Sequence, residues 1–298
     1  MIITKAQVEV ADAAARDAAA GSGVEIRELA ELPDLAAACA LFDEIWRPGP
    51  GRQSELNPHL LRALTKAGNY ASGAYDVASG ELVGACAGFF GPPAQASLHS
   101  HIAGVVPGAA GRAVGFALKV HQRAWCLHRD TPTMHWTFDP LIRRNAYFNL
   151  VKLGARPTEY LPDFYGVMND SINGSTESDR MLVRWDLRSD LVAAACAGRP
   201  APYSAAAELA RGAAVALERR ADGWPSAGPF GKPAGTVLVA VPADIEEMRG
   251  SDPQCAAGWR TALRDALGPL MERGATVTGF DRDGWYVVST DARKGALT

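Results

Sequence analysis

The sequence lacks the features that mark several specialised classes of protein, beginning with a cysteine framework. Its five cysteines are odd in number, lie about 40 to 70 residues apart and include no CxxC pair. A zinc or redox site of the usual spacing is therefore not indicated. None has the local signature of a nucleophile, so we expect buried free thiols. The five are Cys39, Cys86, Cys126, Cys196 and Cys255.

Long apolar runs and basic clusters are also missing. No stretch approaches the roughly 18 consecutive apolar residues that a membrane-spanning helix needs. The first 23 residues carry Glu9, Asp12 and Asp17, where a signal peptide has a basic end and an apolar middle, so we expect a cytoplasmic protein. A formal net charge of -3 without a long Lys/Arg run gives no electrostatic basis for binding nucleic acid.

What the sequence does contain is enough apolar material for a large globular core. It has 298 residues, 48% hydrophobic and 21% charged, which suits two packed units. We expect a loosely held, flexible N-terminal arm over 1–23, a principal domain over 24–196, and a C-terminal α/β extension or partial second domain over 197–298. A homodimer is kept as a candidate assembly.

The hydrophobic pattern predicts strands followed by a strand-turn-helix-strand crossover, which is typical of an α/β fold with a mixed sheet. Over the first 190 residues the predicted strands are 24–29, 70–76, 82–90, 98–106, 134–138 and 181–185, and the predicted helices are 33–46, 58–66, 113–128 and 143–153. Beyond residue 235 the predicted elements are a strand over 236–241, a helix over 252–273 and a strand pair over 276–280 and 285–289.

The turn at residues 107–118, after the strand 98–106, has the clearest chemical content. Backbone N–H groups at a helix start point outward unpaired and the helix dipole adds partial positive charge, so such a turn can hold a pyrophosphate. Arg112 can add a charge. An ordinary glycine-rich loop is the alternative, and a GxGxxG dinucleotide fingerprint does not match. The small residues that leave the approach open are Gly111, Ala113 and Gly115.

This turn resembles the coenzyme A motif of the GNAT superfamily, Val-x-Pro-x-x-Arg/Gln-x-x-Gly-x-Gly/Ala followed by a helix. Val105 and Pro107 match, and Gly115 takes the last small position. Ala110 and Ala113 stand where the family usually has Arg/Gln and Gly. The positions that the resemblance assigns to acyl-coenzyme A are Val105, Val106, Gly111, Arg112, Ala113, Val114, Gly115, Phe116 and Asn145.

A second match lies in the predicted helix 143–153, which is similar to a family helix that starts near an Asn and ends in Tyr-x-Lys-x-Gly-Phe. The family's Tyr, often the acid that protonates the leaving thiolate, falls on Leu150, and its final aromatic residue falls on Ala155. Tyr147 lies one turn earlier on nearly the same face. It becomes the candidate acid if the helix is shifted.

The stretch 99–186 is also similar to a poorly characterised subgroup of predicted GNAT proteins. The resemblance covers about residues 24–190 and implies a GNAT-type mixed sheet with flanking helices, followed by a smaller C-terminal α/β extension. It specifies the fold more than the reaction. The markers are His99-Ser100-His101, Lys119-x-x-Gln122-Arg123, Trp136-Thr137-Phe138-Asp139-Pro140, Phe164-Tyr165-Gly166 and Ser178-Asp179-Arg180.

Acyl transfer from a thioester needs a neutral amine, a donor for the developing oxyanion and a proton for the thiolate. The resemblance implies that the strand before the turn splays from its neighbour and offers a backbone N–H from about Gly104 to Val106. His99 and His101 are the candidate bases, since they share one face of a strand and imidazole titrates near neutral pH. Structural histidines are the main alternative, and a metal site lacks a third ligand.

Asp139 follows the strand 134–138, at the end where open α/β sheets bind ligands. It could fix an ammonium or take its proton through water, or it could simply cap the next turn. Asp179 and Arg180 form a mixed-sign pair that is more often structural. The aromatic residues expected in the core or the acceptor groove are Trp125, Trp136, Tyr160, Phe164 and Tyr165.

These features predict an N-acyltransferase that moves an acetyl or other short acyl group from acetyl-CoA or another acyl-CoA to the amine of a small molecule. One alternative is a GNAT-shaped module that holds acyl-coenzyme A without turnover, motivated by Ala110 and Leu150. Another is a fold reused for other biosynthetic chemistry. The catalytic candidates are His99, His101, Asp139 and Tyr147, and no metal is expected.

Overall fold

The computed structural model describes residues 3–46, 56–166, 177–228 and 235–291. The helices in these ranges are α1 (Lys5–Ser22), α2 (Leu32–Trp46), α3 (Pro58–Lys66), α4 (Val114–Leu127), α5 (Arg143–Tyr147), α6 (Asp190–Cys196), α7 (Ala205–Ala210), α8 (Ile245–Ser251) and α9 (Pro253–Glu272). The strands are β1 (Val24–Glu28), β2 (Tyr70–Asp76), β3 (Leu82–Phe90), β4 (Ser97–Val105), β5 (Thr133–Phe138), β6 (Arg156–Leu161), β7 (Arg180–Asp186), β8 (Ala214–Arg219), β9 (Pro225–Ala227), β10 (Thr236–Ala240), β11 (Thr276–Asp281) and β12 (Trp285–Ser289).

The larger sheet has seven strands in the order β1-β2-β3-β4-β5-β7-β6. The β1–β2, β2–β3, β3–β4 and β6–β7 pairs are antiparallel, whereas β4 and β5 are parallel. A parallel pair needs a crossover connection, and α4 supplies it. The C-terminal strands form a second sheet in the order β11-β12-β10-β8-β9. The expected fold class, a mixed α/β sheet with flanking helices and a smaller C-terminal α/β part, is confirmed.

The chain divides into two compact units that are discontinuous in sequence. Of the described residues, unit 1 contains those up to Trp136 and those from 185 to 199, and unit 2 contains the rest. The expected boundary at 196/197 lies close to the one at 199/200. Residues 137–184, expected in the first domain, belong largely to the second unit.

Residues 5–22, expected as part of a loosely held arm, instead form α1. The Thr4 hydroxyl accepts the Gln7 N–H and the Gln7 side chain accepts the Thr4 N–H, which makes a capping box. Ala11 and Ala14 are buried, and α1 packs on α4. The helix packs through these small residues.

In unit 1, α2 and α3 cover one face of the sheet. Leu35 and Phe42 of α2 and Leu61 of α3 pack against Ala71 and Ala85. The small strand residues let the helices approach closely, and each large apolar side chain buried this way stabilises the fold by about 1.5–3 kcal/mol.

In unit 2, α9 is the principal helix of the C-terminal part. The Asp252 carboxylate accepts the Cys255 N–H at the start of α9, and Trp259, Leu263 and Leu267 are buried. The helix contacts β6 of the larger sheet as well as β8, β9, β10 and β11. The C-terminal segment is therefore part of the same packed unit as β6.

Candidate functional site

The turn between β4 and α4 forms a cradle, defined here as residues 105–118. Pro107–Ala109 make one 3-10 turn, after which Gly111 and Ala113 take left-handed backbone conformations with φ of 82° and 63°. Ala113 is the N-cap of α4, and its side chain makes no capping hydrogen bond. In the described part of the chain, no acceptor is recorded for the N–H of Val114. The start of α4 therefore presents unpaired donors.

The approach to these donors is open. A methyl group at Gly111 would meet nothing within 4 Å, and one at Gly115 would meet only Val105 Cγ2, at 3.7 Å. The Phe116 N–H is not available, because it donates to the Ala113 carbonyl at 3.0 Å. The helix dipole reinforces the attraction for an anion at this end of α4. The geometry fits a pyrophosphate held by backbone donors.

Arg112, expected as the charged partner of the pyrophosphate, contacts other groups. Its Nη2 donates to the carbonyl oxygens of Ser22 at 3.2 Å and Gly23 at 3.3 Å, and to Asp76 Oδ2 at 2.6 Å. The Ser79 N–H and then Arg112 lower the pKa of Asp76 to about 2. Arg112 therefore ties the cradle to the end of β2 and the start of β1.

β4 and β5 separate after a short paired stretch. Only the first three residues of β4 have a recorded partner on β5 within the described chain, and residues 100–105 have none. A gap therefore opens along β4 toward the cradle, as expected for the strand before the turn. The three pairs are Ser97–Thr133, Leu98–Met134 and His99–His135.

The register of β4 decides which backbone donors face this gap. The Val106 N–H donates to the Val83 carbonyl of β3 at 2.9 Å, so it is not available to a ligand. Gly84 pairs with Val105. Because successive N–H groups point to opposite edges of a strand, the Val105 N–H points into the gap. Of the N–H groups over 104–106, where the resemblance places the oxyanion donor, that of Val105 faces the gap.

His99 and His101 lie together beside the gap. Their ring centroids are 6.1 Å apart, and the Phe89 ring of β3 is 5.0 Å from His99 and 5.7 Å from His101. The β3–β4 register skips His101, which is therefore the extra residue of a β-bulge and is exposed. The bulge keeps both rings against the same phenylalanine.

His99 is uncharged at neutral pH. Burial, and then the neighbouring His101, Lys119 and His135, lower the pKa of His99 to about 4. A neutral imidazole can accept a hydrogen bond from an incoming amine. His135 was missed at the sequence level, although its position on the predicted strand 134–138 could have placed it opposite His99.

A buried lysine lies on the α4 side of the sheet, next to the point where β4 and β5 part. Lys119 is 4% exposed, and its Nζ donates to Ser100 Oγ at 2.9 Å and Gln122 Oε1 at 3.0 Å. It also lies 3.9 Å from the ring centroid of Trp136. Burial lowers the pKa of Lys119 to about 8. Lys119, Ser100, Gln122 and Trp136 all belong to the family markers. The sequence did not reveal that they form one internal cluster.

Asp139, a candidate base, is the centre of an ion cluster in unit 2. Its carboxylate accepts hydrogen bonds from Arg260 Nη1 at 2.8 Å and Arg260 Nη2 at 2.7 Å. It also accepts hydrogen bonds from Arg249 Nη2 at 2.5 Å and from the Leu141 N–H at 3.0 Å. Burial alone would raise the pKa of Asp139, but the guanidinium groups outweigh it and the pKa falls well below its usual range. A carboxylate held this way does not take a proton at neutral pH. The contacts support the turn-capping alternative.

Asn145 and Tyr147 lie on α5, in unit 2. The Arg282 guanidinium lies 5.9 Å from the ring centroid of Tyr147. The helix continues into a π-helical turn over Phe148–Lys152, which inserts a residue and rotates the positions beyond it about the helix axis. Leu150, at the family's Tyr position, is 2% exposed. No acid therefore takes the place of the missing Tyr at that position.

The marker Asp179 contributes to the packing of α9. Its carboxylate accepts the Tyr160 hydroxyl at 2.7 Å and Arg264 Nε at 3.0 Å. Arg260 and Arg264 lie four residues apart on one face of α9. The helix is therefore joined to the rest of unit 2 through two buried carboxylates, Asp139 and Asp179.

The aromatic candidates divide between core and surface. Trp125, Trp136 and Tyr160 are buried, whereas Phe164 and Tyr165 are 49% and 45% exposed. The buried Arg180 lies 5.4 Å from the Tyr165 ring centroid. The exposed pair remains the better candidate for lining an acceptor groove.

A cavity of about 800 Å³ lies between α1, β1 and α4 in unit 1. Asp12 in its wall contacts His128 Nε2 at 3.0 Å, and Glu28 accepts Trp125 Nε1 at 2.8 Å. Its described lining includes no cradle residue. Its carboxylates are already engaged by protein donors.

The described residues contain no group of three His, Cys, Asp or Glu side chains placed to hold a metal ion. None of their helices is both long enough and apolar enough to cross a membrane.

Comparisons with known proteins connect this chain to solved structures only. No family model matches it, and no curated protein matches it. A ribosomal-protein-S5-alanine acetyltransferase from Vibrio fischeri is 13% identical with a TM-score of 0.45, over 56% of this chain and 94% of that one. An N-acetyltransferase from Staphylococcus aureus Mu50 is 14% identical with a TM-score of 0.45, over 55% and 98%.

A putative acetyltransferase from Salmonella typhimurium, solved with its cofactor acetyl-CoA, is 14% identical with a TM-score of 0.44, over 55% of this chain and 94% of that one. Another similar structure is described as a putative acetyltransferase of the GNAT family, from Desulfovibrio desulfuricans, at 11% identity and a TM-score of 0.41 over 55% and 99%. All four of these solved structures are described as acetyltransferases.

Proposed function

We propose that the protein transfers an acetyl or other short acyl group from coenzyme A to the amine of a small molecule. The observation that carries the proposal is the cradle, whose unpaired donors and open approach adjoin the gap between β4 and β5. A diphosphate fits the start of α4, and an extended thioester arm fits a gap edged by unpaired backbone groups.

Within the gap, the Val105 N–H is proposed to donate to a carbonyl of the coenzyme A arm near the diphosphate, because it lies six residues, roughly 20 Å, along β4 from His99. His99, which is neutral, would accept a hydrogen bond from the amine and orient its lone pair. His101, which is exposed on the same face, would pass the released proton to solvent. The reaction forms a C–N bond, breaks the C–S bond and leaves the electron pair on sulfur.

The remaining candidates have unequal support. Asp139 is left out of the proposed chemistry, because its carboxylate is fully engaged by Arg249 and Arg260. Tyr147 and Asn145 stay predictions of the family resemblance, because the π-helical turn follows them in the chain and changes the phase of later positions only. The acceptor is proposed to be a small-molecule amine.

Binding at the cradle is tested by calorimetric titration with coenzyme A and acetyl-coenzyme A. Gly115→Asp should lower the affinity at least about tenfold, or about 1.4 kcal/mol, because it sets a carboxylate beside the pyrophosphate. A negative charge in the first turn of a helix is stabilising, so Gly115→Asp should not lower the melting temperature of the protein.

Gly115→Ala is the matched control. A methyl group there meets only Val105 Cγ2 at an ordinary contact distance, so binding should persist. Equal affinity in the wild type, Gly115→Asp and Gly115→Ala would place the binding elsewhere and defeat the proposed cradle. Absence of any binding would defeat the proposed function.

A second candidate function is an acyl-coenzyme A binding module without turnover. The burial of Leu150 favours it, because no acid stands at that position to protonate the thiolate. A panel of amines separates the two functions. Release of free thiol with any amine supports the transferase, and tight binding without thiol release supports the module.

A further inference from the structure

The buried ammonium of Lys119 has no part in the proposed function, although it lies beside the gap. On β4, Ser100 contacts Lys119, and its chain neighbour His99 points to the other face of the sheet. On β5, Met134 Sδ lies 3.5 Å from Nζ, and its neighbour His135 likewise points away. Lys119 therefore contacts both strands next to their last recorded pair, His99–His135.

The surroundings of Lys119 leave its charge uncompensated. Its recorded contacts in the described chain are the neutral Ser100, Gln122 and Met134 and the rings of Trp136 and Trp185. The groups whose negative charge would raise its pKa are thiols, Cys86 of β3 and Cys126 of α4, and burial raises the pKa of both; Lys119 in turn helps to lower the pKa of His99 on the other face. An ammonium in such a setting projects its field through a medium of low dielectric.

The reaction proposed above creates negative charge close to this ammonium. With the diphosphate at the start of α4, an extended arm that runs along the gap from Val105 toward His99 brings its sulfur to the strand junction. When the C–S bond breaks, the electron pair stays on sulfur as a thiolate, and the amine proton leaves through the imidazoles or water. A thiolate formed there needs either a proton or a nearby cation.

We propose that Lys119 is a positioning residue for the leaving group, whose buried ammonium stabilises the coenzyme A thiolate through the sheet. The inference rests on the proposed function. It also accounts for a leucine at position 150, because a thiolate stabilised by a cation can leave before it is protonated. Lys119 neither touches the substrate nor transfers a proton.

The test is a pH titration of coenzyme A bound to the wild type and to Lys119→Met, followed by the ultraviolet absorbance of the thiolate. Binding is measured in parallel by calorimetry. In the wild type the thiolate fraction between about pH 6.5 and 7.5, where Lys119 with its pKa of about 8 is mostly charged, should correspond to a thiol pKa roughly half a unit to one unit below that of free coenzyme A in the same buffer. In Lys119→Met the pKa should return to the free value or rise above it, with affinity within about threefold of the wild type.

The outcomes separate this inference from the function on which it rests. Coenzyme A that binds both proteins with the same thiol pKa overturns the role of Lys119 and leaves the transferase intact. Failure of coenzyme A to bind the wild type overturns both. If Lys119→Met does not fold, Lys119→Gln replaces it, and a wild-type thiol pKa at or above the free value is by itself sufficient to reject the inference.

Discussion

At the scale of single residues, Lys119 should reduce the stability of the native state near neutral pH. An ordinary lysine titrates near 10.5, whereas burial lowers the pKa of Lys119 to about 8. Between these values the unfolded chain binds more protons, so stability rises with pH across the window and the full cost applies below it. Lys119→Met should therefore raise the free energy of unfolding near neutral pH by about 1–3 kcal/mol.

Chemical denaturation near neutral pH and above about pH 10 checks this. The gain from Lys119→Met should shrink at the higher pH, because the lysine is then neutral in the native state and most of its desolvation cost is gone. Lys152→Met, at an exposed position, serves as the control and should change little at either pH. A loss of stability in Lys119→Met at neutral pH would show that its hydrogen bonds and ring contacts outweigh its desolvation.

Residue identity alone predicted some of these roles and not others. The shared face of His99 and His101 follows from the two-residue period of a strand, which is a local property. The partners of Asp139 could not be found in this way, because Arg249 and Arg260 lie 110 and 121 residues further along the chain. The choice between a base and a structural anion depends on those distant cations.

At the scale of elements, α9 is held by the two carboxylates that its arginines contact. Asp139→Asn would remove the charge that the buried Arg260 contacts through both terminal nitrogens, so we expect a loss of about 3–5 kcal/mol in the free energy of unfolding. Denaturant titration measures it. Asp222→Asn is the control, because the Asp222–Arg220 pair is exposed and worth under about 1 kcal/mol.

The pH dependence of this ion cluster has a definite sign. The pKa of Asp139 is lowered in the native state, so its contribution is present above the ordinary carboxyl range and is lost as the pH falls toward the native pKa. Asp139→Asn should accordingly lessen the acid sensitivity of the protein. Unchanged stability combined with lost thiol release would instead restore Asp139 as a catalytic residue.

Elements defined by local signals were predicted best. The cradle was predicted because a strand, small residues and a helix follow one another within a few positions. α1 was not, although Thr4 and Gln7 have the spacing of a capping box, since the helix lacks a broad apolar stripe and packs through Ala11 and Ala14. The β4–β5 separation was anticipated from the family resemblance and not from the residues themselves.

At the scale of the whole molecule, the discontinuous units limit where the chain can be divided. A fragment of residues 1–196 keeps Asp139 and Asp179 but loses α9 and its arginines, together with the smaller sheet. We expect it to lack ordered tertiary structure in the region 137–184. Hydrogen exchange of the fragment against the full chain measures this, with β1 to β4 as internal reference. Protection of β6 and β7 equal to that in the full chain would contradict the division into units.

The five cysteines, first noted for their spacing, also determine how this chain can be assayed. All five thiols are buried, and burial raises the pKa of each of them, for example to about 11 for Cys39 and Cys196. A thiol reagent added to the native protein should therefore report released coenzyme A against a low background, and the thiolate absorbance of a bound complex should be that of its ligand. When the chain unfolds, the same five thiols become reactive. The order in which they are labelled would show which unit unfolds first.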